Sequence, residues 1–189
     1  ASGILPEGAL QLICGSAGDL LDHLDCQDVV TFTGSAETGK MLKRHPSIVE
    51  HSIRFNMEAD SLNCSILGPD AEPGTEEFNL FVRELSREIT IKAGQKCTAI
   101  RRAIVPKHLT EAVAAAVSDK LKNTVIGDPS VEGVRMGPLA HKGQVADVKA
   151  KVKQLLGACE VVYGDLDAVN VVGADSERGS FMSSRLLLC

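Results

Sequence analysis

The 189-residue sequence has no run of Lys or Arg long enough to attract a phosphate backbone or an anionic lipid surface, and its formal net charge is -5. Nucleic acid and membrane are therefore not expected as partners. Long apolar runs are missing too: residues 112 to 117 and 186 to 188 fall far short of the roughly 20 residues a spanning helix needs. No basic start followed by an apolar block marks a secretory signal. Six cysteines (Cys14, Cys26, Cys64, Cys97, Cys159 and Cys189) form no CxxC pair and are too sparse for a disulfide scaffold, which makes a reducing cytoplasm the expected location. His23, His45, His51, His108 and His141 lack metal-ligand spacing, so no metal is expected. A GxSxG elbow is absent, which removes the usual serine hydrolase reading. The sequence also opens without Met and stops inside an apolar run, so it reads as a segment of a longer protein.

What is present suits a globular chain. With 44% hydrophobic residues it can bury a sizeable core, and its length fits one large domain or parts of two. Apolar runs alternate with helical patterns, which indicates α/β layering. Strands are expected at residues 10 to 14 and 28 to 33, the latter buried, each followed by a turn and a helix (19 to 24, then 36 to 43). Residues 53 to 57 and 64 to 67 read as strands on either side of a polar bend at residues 58 to 61. From residue 76 to 91, Phe78, Phe81, Val82, Leu85 and Ile89 recur at helical spacing. A strand at 102 to 105, helices at 108 to 122 and 142 to 156, and strands within 159 to 163 and 181 to 188 complete the reading. Residues 127 to 138 between those two helices read as an ordered loop. A domain boundary is expected near residues 60 to 65, giving units of 1 to 62 and 63 to 189.

Cys97 follows the long helix and sits beside Lys96, Arg101 and Arg102, whose charge would favour a thiolate. A buried core cysteine is the competing reading. Glu58, where a strand opens into a bend, can act as a general base if it is partly desolvated. A solvated strand-end glutamate explains it as well, and Asp60 is an equally good carboxylate on residues alone. Residues 33 to 39, Thr33 through Gly39, lie between strand and helix and could offer N–H groups and a hydroxyl to a phosphate. A plain Ser35 N-cap accounts for them too.

Taken in order, these pieces resemble the aldehyde dehydrogenase superfamily. Phe32-Thr33-Gly34-Ser35 with Gly39 is similar to its FTGSxxxG cofactor motif, and Gly94-Gln95-Lys96-Cys97 to its GQxC nucleophile motif. Ile126-Gly127-Asp128-Pro129 and Met136-Gly137-Pro138-Leu139 resemble its GDP and GPL loops. Where the family usually shows ELGG this chain reads Glu58-Ala59-Asp60-Ser61, a variant similar to the dehydrogenase domain of phenylacetate-degradation proteins. Ser183-Ser184-Arg185-Leu186 departs from the proline the family tends to place before its last apolar strand. The resemblance implies a three-layer, Rossmann-like catalytic domain plus part of the cofactor-binding domain. It also implies catalytic Cys97 and Glu58, with NADP or NAD contacted by Thr33, Gly34, Ser35, Gly39, Glu58 and Ala59. The substrate would be a small aldehyde, CoA-linked in that subgroup, and the longer protein a homo-oligomer. Two other readings stay open: an acyl transferase or CoA-acylating dehydrogenase, and a non-catalytic structural fragment. Comparing Cys97 with Cys26 and Cys159 as ordinary thiols is the expected way to separate an active cysteine from a structural one.

Overall fold

β-branched Val29, Val30, Thr31 and Thr33 favour an extended backbone, and in the computed structural model, which describes residues 3–189, they lie in strand β1, Val29–Gly34. The chain divides into two compact units, Ala1–Asp60 and Ser61–Cys189. In the first, β1 pairs in parallel with β2, Arg54–Ala59, from Val29 opposite Arg54 to Gly34 opposite Ala59. The crossover between them carries α1, Ala36–Lys43, and α2, Pro46–Glu50, which begins on a proline whose fixed φ suits a first turn. Gly39 is buried: a Cβ there would press on the Met57 side chain and come within 3.2 Å of the Phe32 ring. Its missing side chain is what lets α1 lie close on the strand pair. Ile48 and Ile53 are buried in the same unit.

Several expectations for this unit change. Residues 10 to 14 form no strand and are exposed, Leu12 at 87%. An apolar run becomes a strand only when a neighbour takes its N–H and C=O groups, and none does so here. The helix expected at residues 19 to 24 is a single 3-10 turn, Leu20–His23. β1 forms as read but is not buried, because it pairs with one neighbour and α1 covers one face. Glu58 and Ala59 belong to β2, and the chain turns only at Asp60, whose φ is 52°.

In the second unit β3, Asn63–Ile66, and β4, Ile100–Ile104, are parallel neighbours joined through α3, Glu76–Thr90. The Thr75 hydroxyl accepts from the Phe78 N–H and Glu76 and Glu77 occupy the first turn, so the start of α3 is capped and matched to its dipole. Its apolar stripe of Phe78, Phe81, Val82 and Leu85 packs with Leu109, Val113, Val117 and Leu121, the last three on α4, Thr110–Lys122. Beyond α5, Lys142–Leu155, the antiparallel pair β5, Glu160–Tyr163, and β6, Leu186–Leu188, sets Glu160 opposite Leu188. That register brings Cys159 to Cys189, and the two form a disulfide. Cys159 is therefore not a free thiol, a correction to its use as a comparison cysteine. Among the described residues, no helix is long and apolar enough to cross a membrane.

Candidate active site

The approach to Cys97 is unusual in its backbone. After α3, Lys92, Ala93 and Gly94 take φ values of 51°, 52° and 72°, a left-handed run that costs free energy at the two residues carrying a Cβ. Side chains from distant elements hold the segment that follows. Gln95 donates from Nε2 to the Lys92 and Pro138 carbonyls and accepts at Oε1 from the Ala140 N–H. The Arg101 guanidinium donates to the Gly94 carbonyl at 2.8 Å. Asn63, at the start of β3, donates from Nδ2 to the Cys97 carbonyl at 2.7 Å and to the Ala99 carbonyl at 3.2 Å. Ala99 is fully buried, whereas the Cys97 side chain is exposed. A thiol presented to solvent on a braced loop is available for chemistry, and the buried-core reading of Cys97 does not hold.

The cationic neighbourhood is weaker than the sequence suggests. Lys96 forms a 2.7 Å ion pair with Glu88 of α3, which offsets its charge. Arg101 and Arg102 donate to the neutral carbonyls of Gly94 and Leu62.

Loop 126 to 140 supplies the far side of the Gln95 clamp, and Gly127 in it has a packing reason. A Cβ on Gly127 would strike the Val172 carbonyl and lie 2.8 Å from the Val172 nitrogen. The Gly127 N–H reaches the Met136 carbonyl and the Asp128 N–H the Val172 carbonyl, so three strand-like segments meet there. The Asp128 carboxylate accepts from the N–H and hydroxyl of Ser130, which hold it below the ordinary aspartate value of 3.8. A depressed carboxyl stabilises the loop above that value, and the contribution is lost as pH falls below it.

In the first unit, Thr33, Gly34 and Ser35 stand where β1 passes into α1, at the carboxyl end of a parallel pair. That is where α/β sheets commonly bind nucleotides. The donors at this helix start are largely committed. The Ser35 hydroxyl accepts from the Thr38 N–H, the Ser35 carbonyl accepts from the Gly39 N–H, and the Asp60 carboxylate accepts from the Ala36 N–H at 3.2 Å. The Ser35 hydroxyl also donates to the Thr38 hydroxyl at 2.9 Å, so a phosphate is offered the Glu37 N–H and meets the Asp60 charge beside it. The helix start leaves the Glu37 N–H for a dinucleotide phosphate. Gly39 faces the strands and Glu58 is exposed on β2 with Ala59 half-buried after it. Partial desolvation of Glu58, the condition attached to its role as a base, is not met within this unit.

Sequence reasoning named Gln95 only as part of a motif and missed Asn63 and the Arg101 contact. No local signal announces a side chain bonded to carbonyls 34 and 36 residues away.

Residues 2–187 match the aldehyde dehydrogenase family. Over 188 residues the chain is 50% identical to a 3,4-dehydroadipyl-CoA semialdehyde dehydrogenase of Aromatoleum evansii, covering 100% of this chain and 36% of that protein. It is 31% identical over 149 residues to an alpha-ketoglutaric semialdehyde dehydrogenase of Bacillus subtilis, covering 75% of this chain and 28% of that one. Among solved structures, aldehyde dehydrogenase C of Pseudomonas syringae, complexed with NAD+ and octanal, superposes with a TM-score of 0.71 at 25% identity, over 85% of this chain and 31% of that one. Betaine aldehyde dehydrogenase of Staphylococcus aureus superposes with a TM-score of 0.73 at 22% identity, over 85% and 30%, which speaks to fold alone. The chain spans about a third of the length of the relatives it matches.

Proposed function

Because this chain belongs to the aldehyde dehydrogenase family, we propose that it carries the nucleophile and the general base with which the whole protein oxidises an aldehyde to a carboxylic acid. The exposed Cys97 thiol on its braced loop is the observation that carries the reading. An aldehyde gives up hydride only once its carbonyl carbon is tetrahedral. The Cys97 thiolate attacks that carbon, forming a C–S bond and an alkoxide to which the Cys97 N–H donates. Thr33, Gly34 and Ser35, with Ala59 opposite Gly34, would hold NAD(P), which would supply the hydride acceptor for the oxidation. Glu58 then takes a proton from water, the hydroxide adds to the thioester, and the Cys97 thiolate leaves as the acid forms. The 50% identity to a protein named for a CoA-linked semialdehyde supports a substrate of that class, and an aromatic-degradation setting with it.

A reagent that needs no cofactor tests both residues. With 4-nitrophenyl acetate, peptide mapping should find Cys97 acylated about tenfold or more faster than the exposed Cys26. Equal rates for the two cysteines would sink the assignment of Cys97. In Glu58→Gln the acyl group should form at the normal rate but persist, its hydrolysis slowed by about 10²-fold. Unchanged hydrolysis would remove Glu58 from the base role.

A further inference from the structure

We infer that Asn63 is a positioning residue for Cys97: its carboxamide fixes the peptide that carries the nucleophile, so that an oxyanion formed on the attacked carbonyl meets its donor. This rests on the reading of Cys97 as the nucleophile. The two hydrogens of one amide group serve two acceptors, the carbonyls of Cys97 and Ala99. That pairing spans the peptide after Cys97 and locks its orientation, because rotating it would break the 2.7 Å bond.

The placement of Asn63 is itself secured. It pairs with Ile100 while the next residue, Cys64, pairs with Arg102, so Arg101 is skipped in the β3–β4 ladder. The skipped Arg101 turns its guanidinium back to the Gly94 carbonyl, and Arg102 reaches the Leu62 carbonyl beside Asn63. The start of the nucleophile loop is therefore tied to β4 through Arg101, and its end to β3 through Asn63. The half-buried Asn63 side chain lies at the junction, five positions after Glu58 in the chain. An exposed thiol needs no such clamp to be alkylated, but an acyl transfer needs Sγ and N–H at a fixed relative orientation.

The test compares two electrophiles on the full chain. 4-Nitrophenyl acetate acylates sulfur through a tetrahedral oxyanion: the C–S bond forms, the ester C–O bond breaks, and 4-nitrophenolate leaves. Iodoacetamide is displaced at a saturated carbon, with loss of iodide and no oxyanion. Asn63→Ala should slow acylation of Cys97 by about tenfold or more while leaving its alkylation within about twofold. Asn63→Ser, whose hydroxyl can keep one of the two bonds, should fall between Ala and wild type. Wild-type acylation rates in both variants would overturn the inference and leave the role of Cys97 intact. Equal changes with both reagents, or loss of the folded circular dichroism spectrum in both variants, would make Asn63 a structural residue and overturn it as well. Wild-type Cys97 acylating no faster than Cys26 would instead bring down the nucleophile reading, and the inference with it.

Discussion

Asp60 does at one position what a glycine and an anion would otherwise share. It adopts a φ of 52°, which short polar residues tolerate better than most, and its carboxylate takes the Ala36 N–H at the start of α1. Any phosphate approaching Ser35 meets that negative charge. Replacing it by the neutral Asn, which accepts the left-handed backbone equally well, should remove about 1 kcal/mol of repulsion at a helix N-terminus. The dissociation constant for NADPH, read by fluorescence titration, is then expected to fall about fivefold. An unchanged constant would mean that the dinucleotide phosphate does not approach this turn. Gly127 is a second residue whose identity is decided by its surroundings. The Cβ of Gly127→Ala would collide with the Val172 main chain, which has no flexible end to yield. Overpacking of this kind costs about 2 kcal/mol or more, so thermal unfolding followed by circular dichroism should move down by several degrees.

Elements set by local rules were legible in advance, and those set by partners were not. The expected helix from residue 36 to 43 matches α1, because Ser35 is a good N-cap and supplies the capping bond. The long helix was readable from Phe78, Phe81, Val82 and Leu85, whose helical spacing is the same feature that buries them. Residues 10 to 14 misled because a short, mainly apolar run describes a strand only if another strand adopts it. Glu58 read as part of a bend because its polarity suggested one, yet the β1–β2 ladder extends through Gly34 and Ala59. For the candidate site, the sequence order pointed to an exposed Cys97. It could not supply the amide clamp of Asn63, which depends on Arg101 being skipped in a parallel ladder between residues far apart in sequence.

Across the whole molecule, the two units differ in how much they bury. The second unit has ten buried side chains in one cluster, from Leu67 to Leu121, while among the described residues of the first the buried apolar side chains are Ile48 and Ile53. Small cores give little net stability, so the units are not expected to unfold together. Native-state hydrogen exchange should show the slowest amides in α3 and α4, with β1 and β2 exchanging at lower opening free energies. Uniform protection across both units would contradict this.

The Cys159–Cys189 bond carries a practical consequence for every measurement on sulfur. In the native chain Ellman's reagent has Cys14, Cys26, Cys64 and Cys97 to find. Incubation with dithiothreitol liberates Cys159 and Cys189, which join the competition for any electrophile added afterwards. An acyl stoichiometry recorded in reducing buffer therefore has a different denominator from one recorded without it, and the β5–β6 ladder is then left with its hydrogen bonds and the packing of Tyr163 and Leu186.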